Sequence, residues 1–357
     1  MKLFMDMHVI QTVPPNCLNR DDTGSPKTAV YGGVRRARVS SQSWKRAMRE
    51  MFKEYFDESE LSYRTLKIFD LVADEILKKS SEHSRDSAIK LAQQVLEKVK
   101  VKGSKKDAEK AEALFFLSSQ QAKNLAALAL GDLKSKEAEK AIEQALKDGK
   151  GVDLALFGRM VASNQELNCD ASAQVAHAIS THRVENEYDY FTAVDDCSTE
   201  EHAGAAMINT TEYNSSTLYR YATVAVHDLF ENLSKNPVVL EKAVKEFARA
   251  FILSLPSGKQ NTFAAHTLPY AVMVTLRNCR SLNLVDAFEN PVKSKEGFAV
   301  PSARAFVEHA KKAYQEFCAE PESCYVIGEE LSTLGEKLNI EDLLAKISKE
   351  AAEKVAL

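Results

Sequence analysis

A chain of 357 residues with 45% hydrophobic residues is long enough for two or three domains, or for one large domain with insertions, and needs no staples to bury a core. Its formal net charge of −4 excludes a surface uniformly coated in basic groups, but it says nothing against segregated charge. There is no run of about 18 apolar residues, and the N-terminal "MKLFMDMHVIQT" has an Asp inside its apolar stretch and no small-residue cleavage site; these features speak against a spanning helix and a signal peptide, and predict a soluble, cytoplasmic protein with no membrane partner.

Residues 2 to 12 alternate, with Leu3, Met5, Met7 and Val9 on one side and Lys2, Asp6 and His8 on the other, so the chain is expected to open on a strand. From Ser40 or Ser41, either a plausible N-cap, Trp44, Met48, Met51, Phe52 and Tyr55 form a helical stripe. Gln42, Lys45 and Arg49 line up beside it, giving one helix an aromatic-rich core face and a polar, cationic flank.

Residues 60 to 150 turn rich in Ala, Leu, Lys, Glu and Gln, with helical spacing at Ile68, Leu71 and Val72, at Ile89, Ala92, Val95 and Leu96, and at Leu114, Leu125 and Leu128. Breaks at "KGSKK" and "LGDLKSK" divide what reads as an all-helical insertion without a chemical motif. Mixed α and β character returns at "GVDLALFGRMVAS", and a polar stretch from about 185 to 217 is too long for an ordinary connector. It ends at the strand-like "TLYRYATVAVHDL", followed by a helix over 237 to 255, a loop "PSGKQNTFAAH" and a strand "YAVMVTL". A helix begun by Pro301, with Phe306, Ala310, Ala313 and Phe317 on one face, and a charged helix from about 340 close the chain.

Chemistry-bearing constellations are scarce. Cys17, Cys169, Cys197, Cys279, Cys318 and Cys324 make no C-x-x-C pair and fit free thiols in a reducing compartment. His177 and His182 stand at i, i+5, a poor spacing for two ligands on one helical face, and no H-E-x-x-H occurs. "SGKQNT" lacks the upstream Gly and the Ser or Thr that a phosphate-binding loop needs. Asp21 and Asp22 are adjacent acids that could serve a phosphodiester cleavage as base or metal ligands, or could simply belong to a salt-bridged loop beside Arg20.

The cationic run is the stronger signal. Lys27, Arg35, Arg36, Arg38, Lys45, Arg46 and Arg49 follow one another with no acid between them, a mutual repulsion that a polyanion relieves. "YGGVRRARVSSQS" adds bare glycine backbone and hydroxyl and amide donors just before a helix N-terminus, a ready anion site. A solvated basic face is the alternative; nucleic-acid binding is the favoured expectation.

In this order, "CLNRDD", "GGVRRARVSSQSWKRAMR", "DLALFGRM", "AHAISTH", "DYFTAVDD", "YRYA" and "KQNTFAAH" resemble the CasC family, the repeated backbone subunit of the type I-E CRISPR surveillance complex Cascade. The resemblance spans about residues 8 to 300. It implies an α+β, hand-shaped subunit: a modified RNA-recognition (ferredoxin-like) palm over 1–59, 151–184 and 221–357, the last with C-terminal helices, a helical fingers domain over 60–150, and a thumb loop over 185–220. Copies would stack head to tail along the CRISPR RNA, each thumb inserting between the palm and fingers of a neighbour.

The resemblance also implies guide-backbone contacts at Arg20, Lys27, Ser40, Gln42, Lys45 and Arg49, a kinked nucleotide flanked by Met160, Phe191 and Thr192, and a further phosphate contact at Lys293 or Lys295. Arg35, Arg36, Arg38 and Arg46 receive no role. The implied partners are the guide, the target DNA strand through the guide, further copies, and the large, small, 5′-end and crRNA-processing endonuclease subunits; no cofactor, metal or catalytic activity is implied. Related type III backbone subunits use a loop Asp to cut RNA, which keeps Asp21 or Asp22 open as a metal-dependent ribonuclease acid. A helical interaction protein without nucleic acid is the third reading.

Overall fold

The computed structural model describes residues 2–105, 107, 109–133, 135–193 and 207–356. The expected opening strand is β1 (Phe4–Asn16). After the 17–27 turn, β2 (Thr28–Tyr31) and β3 (Val34–Val39) form a hairpin whose Gly32 and Gly33 take left-handed φ values of 58° and 74°. Helix α1 (Ser41–Phe52) follows, with Ser40 as its N-cap and Trp44, Met48 and Phe52 buried. The helix stops before Tyr55, which lies exposed instead of continuing the stripe.

The 60–150 insertion holds α2 (Ile68–Lys79), α3 (Arg85–Lys98), α4 (Ser119–Ala129) and α5 (Lys136–Lys147), separated near the expected breaks. It is not all-helical: β4 (Ser62–Thr65) pairs antiparallel with β5 (Phe115–Ser118) at its root. Its separate core joins Phe69, Val72, Val95, Leu125 and Leu146, and takes in Val161 and Leu167 from beyond residue 150, so the packing unit outruns the composition boundary. Leu114, placed in the helical pattern by its spacing, is exposed.

Next come α6 (Val152–Phe157), β6 (Ala173–Val175), β7 (Ala178–Ser180), β8 (Glu187–Ala193) and β9 (Met207–Ala225). The polar stretch expected as a thumb loop is, where described, an antiparallel ribbon: β8 pairs with the first part of β9 from Glu187↔Tyr213 to Ala193↔Met207. Residues 194–206 of that expected thumb lie outside the described residues. Ribbon pairing satisfies backbone groups that a loop of this length would leave to water, and it lets every β8 side chain stay exposed.

The chain closes with α7 (Val226–Asn232), α8 (Pro237–Leu253), α9 (Gln260–Phe263), β10 (Ala271–Arg277), α10 (Ala299–Glu316), β11 (Ser323–Ile327), β12 (Glu336–Lys337) and α11 (Ile340–Ala356). Helix α10 starts two residues before Pro301, and Phe317 projects from its end, 80% exposed, not onto the core. The sheet runs β12-β11-β10-β1-β9-β7-β3-β2, with β1 antiparallel to both β10 and β9. This is the α+β, RRM-like arrangement expected.

Both faces of β1 are covered. Leu3, Met5, Met7 and Val9 pack with Trp44 and Met48 of α1, Phe247 and Phe251 of α8, and Leu344 and Ile347 of α11. The opposite face packs Ile10, Tyr219 and Met273 under Phe306 and Ala310 of α10. Asp6 and His8 are therefore buried too. Asp6 accepts from Tyr221 Oη at 2.8 Å and the Leu282 amide at 2.9 Å, and His8 Nδ1 shares a hydrogen bond with Tyr219 Oη at 2.8 Å.

Candidate nucleic-acid interface

The 17–27 turn is built around Asn19 and Asp21. Asp21 Oδ1 accepts from the Thr23 amide at 2.9 Å, the Thr23 hydroxyl at 2.7 Å and the Ser25 amide at 3.0 Å. These bonds, led by the Thr23 hydroxyl, hold its carboxyl below the usual range. Asn19 Oδ1 accepts from the Ser40 amide at 2.9 Å, and its carbonyl accepts from the Lys27 amide at 2.9 Å. One side chain thus ties the turn to the start of α1, and Arg20 and Asp22 are left on the exposed rim. Among the described residues no group of three or more His, Cys, Asp or Glu could hold a metal ion.

Ser40 is buried, and its hydroxyl oxygen accepts from the Ser43 amide at 3.3 Å. What Ser40 contributes is the N-cap, which fixes where the positive end of the α1 dipole points. That first turn contains no acid, so nothing on it competes with an external anion. Gln42 is exposed on the same turn.

Lys45 is half-buried, and burial alone depresses its pKa. Its ammonium lies 5.7 Å from the centroid of Phe157, and no carboxylate lies within 4 Å of it among the described residues. A partly desolvated cation against an aromatic face and without a counter-charge is poised for an anion from outside.

Arg49, one turn further, is engaged differently. Its Nε donates to Asp153 Oδ2 at 3.0 Å and its Nη2 to the Ser62 carbonyl at 3.0 Å, while the guanidinium lies 4.7 Å from the centroid of Phe116. Asp153 is buried, which pushes its carboxyl up; Arg49 and the Ser62 amide, 2.8 Å away, oppose that. Arg49 therefore clamps α1 to the root of the helical insertion.

The hairpin arrangement explains some of the arginines to which the sequence motifs assign no role. Arg36 is fully buried and donates to the carbonyls of Tyr31 at 3.1 Å, Ser180 at 3.0 Å, Phe288 at 2.7 Å and Glu289 at 3.3 Å. Gly32 sits so close to the Glu289 carbonyl that a Cβ there would lie 1.7 Å from its oxygen. Together they pin the loop that carries Lys293 and Lys295, both exposed, beside the hairpin. Arg38 donates to Thr28 O at 3.2 Å and to His177 Nδ1 at 3.1 Å. Burial first, then Arg38 and Lys27, depress the His177 pKa, so these three groups share one electropositive field.

Met160 is 85% exposed at the junction with the helical insertion, whereas Phe191 and Thr192 are exposed on the β8 ribbon. Met160 borders Lys102, Leu114 and Phe115 of the insertion, and Phe191 and Thr192 pair with Asn209 and Ile208 of β9. The preceding Arg159 is structural: it is buried and donates to the carbonyls of Leu167, Phe116 and Leu146. Lys259, which sequence reasoning missed, lies across the turn from Arg20, with its Nζ 3.0 Å from Thr211 Oγ1. Its only sequence signal is its place in "KQNTFAAH", a segment that otherwise reads as a failed nucleotide loop.

The arrangement defines an α+β fold with an RRM-like sheet and an α1 flank on which Arg49 is paired with Asp153 and Lys45 has no carboxylate within 4 Å among the described residues. The CT1975-like protein family model matches residues 5–349, and the chain belongs to that family. A chain of a solved "CRISPR RNA-guided surveillance complex, pre-nicking" is 31% identical, with TM-score 0.84, covering 98% of this chain and 100% of its own. A chain of another "CRISPR RNA-guided surveillance complex" is 28% identical, with TM-score 0.62 and coverage of 96% and 99%. No curated protein sequence matches.

Proposed function

We propose that this chain is the repeated, non-catalytic crRNA-binding backbone subunit of a type I-E Cascade complex in the cytoplasm, stacking head to tail along the guide and presenting it to target DNA. The observation that carries the reading is the end-to-end likeness, at TM-score 0.84, to a chain of an RNA-guided surveillance complex. Arg20, Lys27, Gln42 and Lys45 take guide phosphates, Ser40 sets the helix end, and Arg49 holds α1 against the insertion while adding to the guide contacts from the same helix flank. On this reading these groups hold the backbone and none reads a base edge, so pairing alone reads sequence and one subunit serves any spacer. Met160 of one copy and Phe191 and Thr192 of the next flank a displaced nucleotide, and Lys293 and Lys295 add phosphate contacts. Further copies and the large, small, 5′-end and processing-endonuclease subunits complete the particle.

We assign Asp21 to the turn and not to cleavage, because its carboxylate is occupied by Thr23 and Ser25. Co-expression with a CRISPR RNA should yield a large particle with absorbance shifted toward 260 nm; a nucleic-acid-free monomer would sink the scaffold reading. Loss of a divalent-metal-dependent RNA cleavage in Asp21→Ala or Asp22→Ala would replace it with a nuclease.

A further inference from the structure

Strand β10 ends on Arg277, which is 3% exposed, and two residues further on the chain reaches solvent at Cys279. We propose that Cys279 is an oxidation site: a hydroperoxide converts its thiol to a sulfenic acid, and Arg277 holds the oxygen that is transferred. The site uses the exit of β10 and the end of α10 and no residue given to the guide, so it stands independently of the scaffold reading.

Arg277 is a buried cation with spare donors. Its Nη2 donates to the Ala319 carbonyl, just past the end of α10, at 2.9 Å, and its guanidinium carbon lies 5.5 Å from the centroid of Tyr314 in the last turn of that helix. Its Nε and Nη1 are buried and have no hydrogen-bond partner among the described residues. Asp6, the acid that shares its field, is already spent on Tyr221 and the Leu282 amide. Two unmet N–H groups on a buried cation are costly, and in a native structure they mark a place where a further acceptor belongs.

Burial opposes the charge of Arg277, while Tyr314, Cys318 and Cys279 favour it, Cys279 also through its side-chain contact, and the balance holds the pKa above the ordinary arginine value. An exposed sulfur thus lies against a persistent cation. The other described thiols are placed differently: Cys17 and Cys169 are buried, Cys318 donates to the Ala313 carbonyl at 3.5 Å, and burial pushes the Cys324 thiol up to about 12. The Cys279 thiol reaches the Arg280 carbonyl at 4.0 Å, a contact too weak to hold it. Solvent access beside a positive charge is the setting that selects one thiol for oxidation.

In the step, the Cys279 sulfur attacks one oxygen of the peroxide, so that an S–O bond forms and the O–O bond breaks. The sulfur loses two electrons and the peroxide gains them; with hydrogen peroxide as oxidant, the thiol proton leaves with the departing oxygen as water. Negative charge develops on that oxygen as the O–O bond stretches, and the Nε–H and Nη1–H groups are donors already stripped of water to receive it. The sulfenic oxygen of the product then accepts from the same cation, which gives it a partner it lacks in the thiol form.

The test treats the purified full chain with hydrogen peroxide in the presence of dimedone, which traps sulfenic acids, and reads the adduct at each cysteine by mass spectrometry over time. Cys279 should be labelled about tenfold faster than Cys318 or Cys324, and about tenfold faster in the folded chain than in the same chain in urea. A thiol that is merely exposed gains nothing from folding, so a folded rate no greater than the rate in urea would overturn the proposal. Arg277→Lys keeps a charge and removes the Nε donor, and should erase most of the advantage; a full rate in that variant, with its near-ultraviolet circular dichroism unchanged, would also overturn it. The first comparison uses the unsubstituted chain, so it decides the matter even where Arg277→Lys fails to fold.

Discussion

Strand β3 and helix α1 carry the two halves of one cationic run, and the fold puts them to opposite uses. Arg36 on β3 faces inward, where a planar five-donor group donates to four backbone carbonyls, two of them, Ser180 and Phe288, in buried hydrogen bonds. Lys45 on α1 sits half-buried over Phe157 with no carboxylate within 4 Å among the described residues. The same positive charge is thus consumed by the protein in one place and left for an outside partner in the other. Counting Lys and Arg in a sequence overstates a binding surface by however many the interior uses.

The largest expected effect comes from the consumed half. Arg36→Ala should cost about 3 kcal/mol, because it takes the donor from the two buried carbonyls of Ser180 and Phe288 and unpins the 288–298 loop from Gly32. Urea unfolding would read it as a lower midpoint at unchanged slope. An unchanged midpoint would break the comparison, since Arg36 would then be no more structural than Lys45.

His8 sharpens the interior case, being buried between Tyr219 and Phe306 with burial holding its pKa down to about 3. The unfolded chain binds a proton near pH 6.5 that the folded chain refuses until about pH 3. Between those values the unfolded state holds more protons, so His8 lowers stability as pH falls. The loss should reach about 2 kcal/mol by pH 5 relative to pH 8. His8→Gln should flatten that limb in a stability-versus-pH series; an identical acid limb in the variant would show that another group carries it.

Much of this architecture is legible in the sequence because it is periodic. The alternation in β1 and β9, the α1 stripe and the apolar spacing of the insertion each follow from a face that must be buried. The burial of Asp6 and His8 is not legible, because the cover on that face is α10, almost 300 residues away in sequence. The 185–217 stretch hides its strands for a related reason: a ribbon exposed on both faces has no buried side to create alternation. Within the candidate site, charge and the family motifs locate α1 and the turn. What separates Arg49 from Lys45 is Asp153, a partner about 100 residues distant that no local pattern announces.

Lys45→Met tests the unconsumed half with the smallest change. The substitution keeps the stem against Phe157 and removes only the ammonium, so unfolding stability should stay within about 0.5 kcal/mol of the parent. Guide affinity should fall about tenfold, by the same factor for unrelated spacer sequences, with a shallower salt dependence. A loss confined to particular spacers would contradict backbone recognition, because a phosphate contact carries no sequence information. A loss of stability as large as that of Arg36→Ala would place Lys45 with the interior cations, and the anion site would then have to be sought among Arg20, Lys27 and Gln42 alone.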